Sequence, residues 1–261
     1  IHTPNSTIMK KSYSNPTLKT WLCLGAMTIG YHAAPLLAQE GQANTPRVNN
    51  EKPGNRGQVK RVHPHALKLI LQGKKKEAVD YLTKTSAFEV NPKHTQLLLD
   101  IANDKPNAWK FDAKTWPWER ALPDTSLKKD APSEKFTIAF GGGSGYVPAN
   151  ERVWDTIGAI DPRAILLLGD NVYIDDPETS EMQRFHYYRR QSQPEWMRLA
   201  KRVPIYGIWD DHDFTTNDGW GGPEIEKPKW KRKVWEIFKE NYDNPYYCLL
   251  YTSDAADDRV S

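Results

Sequence analysis

Two stretches decide the fold: Ala164-Ile165-Leu166-Leu167-Leu168-Gly169-Asp170-Asn171-Val172-Tyr173, and Val203-Pro204-Ile205-Tyr206-Gly207-Ile208-Trp209-Asp210-Asp211-His212-Asp213-Phe214. Each is an apolar run closed by acidic residues. A continuous apolar run of strand length predicts a strand covered on both faces, as in a parallel sheet. Charged residues directly after such a strand fall at the carboxyl end of the sheet, where open α/β folds carry their sites. Neighbouring strands ending in Asp-Asn and Asp-Asp-His-Asp would bring several hard oxygens and one imidazole together. That donor set suits a divalent or trivalent metal.

Upstream of the first stretch, Phe136 to Phe140 reads as a short strand, followed at once by Gly141-Gly142-Gly143-Ser144-Gly145. A helix is expected from about Asn150 to Ile160, with Val153, Trp154 and Ile157 facing inward. Strand, helix and strand at this spacing make a βαβ unit with a right-handed crossover. Asp176-Pro177 caps a helix running to about Arg190, and Pro194 opens another to about Lys201. Trp230, Val234, Trp235, Phe238 and Tyr242 share one face of a further helix.

Residues 61–104 read as a small helical segment. His63 to Lys84 is helical but broken at Gly73, and Asn91-Pro92 is a cap with proline at the first helical position. Residues 105–133 form a connector containing Trp116-Pro117-Trp118. Residues 134–247 hold the α/β region. Before all of these, Met9-Lys10-Lys11, an apolar stretch from Trp21 to Leu37 and Ala38 lay out a signal peptide over 9–38. Residues 39–60 are polar and read as a disordered linker. The expected location is therefore exported, periplasmic or extracellular, with no stable membrane anchor. The two cysteines, Cys23 and Cys248, lie in the signal and in a C-terminal stretch, 248–261, that reads as a non-native tail. Neither a disulfide nor cysteine chemistry is expected. A net charge of +3 is too small to mark nucleic acid as a specific partner.

Four features carry the expected chemistry. Gly141 to Gly145 offers successive backbone N–H groups, which can form an anion cradle or a turn that lets backbones pass closely. It lacks the Gly-Lys-Ser/Thr ending of a Walker loop and the dinucleotide spacing. Asp170, fixed at a strand end, can bridge two cations or cap a turn, and Tyr173 can reach the same centre. Three carboxylates within the four residues Asp210 to Asp213 repel one another unless something positive sits among them. His212 in their midst is placed to give a proton to a leaving alkoxide. Arg189 and Arg190 can steady phosphate oxygens or serve as structural ion pairs.

Phe-Gly-x-x-Ser after the first strand, Leu-Leu-Gly-Asp-Asn-Val-Tyr and Trp-Asp-Asp-His-Asp-Phe resemble the successive motifs of the alkaline phosphatase D-like metallophosphatases, within the calcineurin-like metallophosphoesterases. The resemblance runs from about Phe136 to Tyr247. It implies an α/β/β/α sandwich, of which 134–247 would be the N-terminal half, preceded here by the small helical segment. It also implies an enzyme hydrolysing phosphate mono- or diesters at a dinuclear centre, with iron paired to calcium or another divalent cation and a small phosphate ester as substrate. Asp170 would bridge the metals, Tyr173 would bind iron, Asp211 and Asp210 would be further ligands, and His212 the acid. Asn171, Ser144 and Arg189 would face the substrate. Where the family offers Cys or Asp after the first strand, this chain has Gly142 and Gly143. The family's later histidine ligands have no counterpart in this sequence, so the chain as given is expected to be inactive. A non-catalytic exported anion-binding protein on the same fold is the alternative.

Overall fold

A computed structural model describes residues 62–127, 136–219, 224 and 226–245. The signal peptide, linker and tail expected from the sequence lie outside them. The described part is α/β: three parallel strands with helices packed on them. Strands β1 (Ile138–Gly141), β2 (Ala164–Leu168) and β3 (Ile205–Ile208) stand side by side in chain order. Ile138 is paired with Ala164, and Ile165 with Ile205.

The helical segment contains α1 (Val62–Leu71), α2 (Lys75–Lys84), α3 (Ala87–Val90) and α4 (Pro92–Ala102). Gly73 separates α1 from α2 at φ +77°, a left-handed turn open to glycine. Asn91 caps α4 as expected, its side chain accepting the His94 N–H at 3.1 Å, with Pro92 in the first turn. Leu67, Leu82, Leu98 and Ala78 pack these helices together as a fully buried knot. Between the strands come α5 (Val153–Ala159), α6 (Ser180–Gln191) and α7 (Pro194–Ala200). The turn α8 (Asp211–Phe214) and α9 (Trp230–Asn241) follow β3. Among the described residues no helix is long and apolar enough to cross a membrane.

The sheet departs from the expectation of two covered faces. Ile165, Leu167 and Ile205 are buried, whereas Phe140, Leu168 and Ile208 on the other face are 52%, 48% and 46% exposed. The cause lies in the strand order. Successive strands are added in one direction, so crossovers of one hand carry their helices to one face. Helix α5 begins later than expected, after a 3-10 turn at Pro148–Asn150, and leaves Val153 exposed while Trp154 is buried.

The outer edge of β3 is met at Gly207 by the Asn244 side chain. The Asn244 amide donates to the Gly207 carbonyl at 2.6 Å, and its oxygen accepts the Gly207 N–H at 3.1 Å. Gly207 also lies under Tyr242. A Cβ there would meet the ring at 2.6 Å, so only glycine permits this approach.

Candidate metal centre

The loops leaving β2 and β3 meet at the carboxyl edge of the sheet. Gly169 and Asp170 both take left-handed backbone angles, φ +97° and +51°, which turn the chain sharply off β2. A Cβ on Gly169 would meet the Cβ of Asp210 at 2.5 Å, so the two loops touch at this glycine. On the other side, Asp210 caps the turn α8 through a reciprocal capping box with Asp213.

Asp213 ties the loops together. Its carboxylate is buried and accepts the N–H groups of Asn171 at 3.0 Å, Val172 at 2.7 Å and Asp210 at 3.2 Å, and the Asn171 side-chain amide at 3.2 Å. Burial pushes its pKa up to about 7 against the opposing pull of those N–H donors. In the sequence Asp213 looks like one more ligand. In the fold it is the bolt between the loops, because successive residues of a helical turn point in different directions.

This bolt brings one ligand atom each from Asp170, Asp211 and His212 within 4.8 Å of one another. All three are partly buried. Asp170 Oδ2 accepts the Tyr173 hydroxyl at 3.1 Å, while Oδ1 is buried without a partner. A buried carboxylate oxygen lacking a donor is a costly arrangement, relieved by a cation. Burial, then the charges of Asp211 and Asp210, raise the Asp170 pKa despite the Tyr173 and His212 contributions. Burial and Asp170 push Tyr173 up to about 12.

His212 is held from outside the cluster by Asp175, a residue the sequence reading missed. Its Nδ1 lies 2.5 Å from Asp175 Oδ1, and its ring lies 4.3 Å from that of Tyr173. Burial works to lower the His212 pKa. The Asp175 hydrogen bond and the charges of Asp175, Asp211 and Asp170 outweigh it and hold the ring above its ordinary value. Nε2 is left as the nitrogen not engaged by Asp175. Asp211 Oδ1 accepts the His212 N–H at 2.9 Å, and its other oxygen accepts the Asp218 N–H.

The remaining candidates sit elsewhere. Asn171 is buried and donates to the Ile208 carbonyl at 2.7 Å, bridging the two strand ends. Ser144 Oγ donates to the Asn171 carbonyl at 3.2 Å and accepts from Arg190 at 3.1 Å. Arg190 makes the structural ion pair that was one of its two expected roles, its Nε and Nη2 donating to the two oxygens of the buried Glu151 at 3.2 and 3.1 Å. Arg189 does not join the acidic group. It is buried over the Tyr146 ring at 4.4 Å and donates to His186 Nδ1 at 3.1 Å. Within the glycine-rich loop, the Gly143 and Ser144 N–H groups already bond the Gly169 and Asp170 carbonyls, at 3.2 and 2.9 Å. The loop thus serves as a close-packed turn, with Gly142 so near Gly169 that a Cβ would meet its carbonyl oxygen at 3.0 Å.

No protein family, no curated protein and no solved structure matches this chain.

Proposed function

We propose that the chain carries the site of an exported metal-dependent phosphoesterase, hydrolysing phosphate mono- or diesters. The observation that carries this reading is the convergence of Asp170, Asp211 and His212 within 4.8 Å at the carboxyl edge of a parallel sheet, with Asp170 Oδ1 buried and unpartnered. Hard carboxylate oxygens fit a divalent or trivalent cation, and the imidazole beside them is left for proton transfer. Asp170 and Asp211 would hold the metal, with Tyr173 and Asp210 at its margin, and iron beside calcium or another divalent cation is the pair the motifs favour. When bound, such cations supply Lewis acidity toward phosphate oxygens and toward water. The chain's own part is to position and to move one proton. Water adds to phosphorus and gives up a proton to solvent, the ester P–O bond breaks, and His212 delivers its Nε2 proton to the departing oxygen and is reprotonated from solvent. Asp175 orients the ring for that delivery. The exposed apolar sheet face is consistent with a second layer, as in an α/β/β/α sandwich.

One observation favours the non-catalytic alternative: Gly142 and Gly143 stand where a further ligand would complete the site. A single experiment separates the two. Calorimetric titration with Mn²⁺, and separately with inorganic phosphate, is followed by assay of aryl phosphate hydrolysis in the loaded protein. Mn²⁺ binding that is lost in Asp170→Asn, together with hydrolysis, supports the enzyme. Binding of inorganic phosphate without Mn²⁺ binding or hydrolysis supports the anion-binding alternative, and binding of neither overturns both.

A further inference from the structure

We propose that the helical segment Val62–Ala102 is held on α6 by an acid-sensitive latch, built from His63, His94 and His186 around the buried Arg189, which releases the segment when the imidazoles take up protons. The four side chains are 2%, 1%, 3% and 4% exposed. They come from three helices: His63 from α1, His94 from α4, and His186 with Arg189 from α6. The His63 and His94 rings stand 5.7 Å apart, edge to face. His94 also lies 5.9 Å from Phe185 of α6, 5.8 Å from Tyr146 and 5.6 Å from Trp118. The Arg189 guanidinium rests on the same Tyr146 and Phe185 rings, at 4.4 and 5.4 Å. Imidazole and guanidinium therefore share two aromatic walls.

The hydrogen bond at His186 requires a neutral ring, whereas His63 donates Nε2–H to Thr95 Oγ1 at 2.8 Å, that hydroxyl giving its own proton to the Ala87 carbonyl. Arg189 has only donors, so His186 Nδ1 must accept at 3.1 Å. A proton on that nitrogen would turn donor against donor. His186 Nε2, His94 Nδ1 and Arg189 Nε are buried without partners. Among the described residues Arg189 forms no ion pair with a carboxylate. The charged and titratable groups facing the cluster are Lys93 on α4, Arg189 and Arg190 on α6, and Tyr146 and Glu151 in the segment after β1. Glu151 is paired with Arg190. An added proton thus enters a buried site beside a cation that no described carboxylate pairs, a large penalty. In agreement, burial first and Arg189 second hold His63 at about 3, and burial with neighbouring cations holds His94 and His186 well below the usual range.

The sign follows from linkage. In the released segment the rings titrate near their ordinary ~6.5. Below that pH the released form binds more protons, so docking weakens as pH falls toward the depressed folded values. Each ring contributes about a tenfold change per pH unit, and three contribute up to about a thousandfold. The latch stands independently of the metal reading, since none of its groups touches Asp170, Asp211 or His212.

Hydrogen exchange of the whole chain between pH 7.5 and 5, corrected for intrinsic amide rates, tests it. Protection of α1 and α4 should fall steeply below pH 6.5 while that of β2 and β3 holds. His94→Gln should flatten the fall by about tenfold per pH unit. Arg189→Met should move it to lower pH, and it carries the test if the first variant does not fold. Protection in α1 and α4 that is independent of pH, or that is lost together with the strands in one step, would overturn the proposal. So would variants whose profiles match the parent's.

Discussion

His212 Nδ1 sits 2.5 Å from Oδ1 of Asp175, a residue on the other loop. A carboxylate at Nδ1 fixes the ring's orientation and leaves the opposite nitrogen outside that hydrogen bond. Asp175→Asn can present its amide instead and reverse the tautomer. Hydrolysis should then fall about 10–100-fold with Mn²⁺ still bound. Steady-state kinetics beside calorimetry reads both, and an unchanged rate would remove Asp175 from the mechanism.

The division of labour between His212 and Asp170 is open to a paired comparison. In a form of the protein that hydrolyses phosphate esters, His212→Ala should lower turnover by about 10²–10⁴-fold while retaining most metal affinity. Asp170→Asn should lose the metal, because an oxygen aimed into the centre loses its charge. A leaving group of very low pKa should partly restore His212→Ala, since it departs without a proton. Equal loss of metal in the two variants would make His212 a ligand instead of the acid.

Gly169→Ala should unfold the site without replacing any of its ligands. The residue has φ +97°, and a Cβ would lie 2.5 Å from that of Asp210. The backbone strain alone costs on the order of 1–3 kcal/mol. Denaturant unfolding should show a loss of at least that size, with metal binding lost in the same variant. Wild-type stability in Gly169→Ala would mean that the loops can part without consequence.

Arg190→Met leaves the Glu151 carboxylate buried with no cation and frees the Ser144 and Asn171 contacts. Breaking one side of a buried pair typically costs about 3–5 kcal/mol. The urea midpoint should drop accordingly, and the double variant Glu151→Gln with Arg190→Met should recover part of the loss. If the double variant is no better than the single, the pair is not the source of the effect.

The strands and most helices were legible because an apolar run and a proline cap are local signals. Ala164–Leu168 was read to the residue. The first strand was expected at Phe136 but begins at Ile138, because its partner β2 starts only at Ala164. What stayed hidden depends on contacts between distant residues. Asp175 stands beside Asp176-Pro177 and looks like a helix cap, while its partner lies 37 residues away. Asp213 was indistinguishable from its neighbours until the turn α8 pointed it inward onto the Asn171 and Val172 amides. His63, His94 and His186 are scattered over more than a hundred residues of sequence, and no spacing announces that they gather around Arg189. The sheet's bare face was likewise hidden, since it follows from the order of the strands and not from the composition of any one.

The Asn244 amide at Gly207 has a consequence for assembly. It satisfies both backbone groups that an added strand would need at that position on β3. Any chain seeking to lengthen the sheet from this side must first displace a carboxamide, giving up two hydrogen bonds worth about 1 kcal/mol each. Asn244 therefore acts as a stopper against runaway strand addition at an edge flanked by exposed apolar side chains, and one removable by rotation of a single side chain.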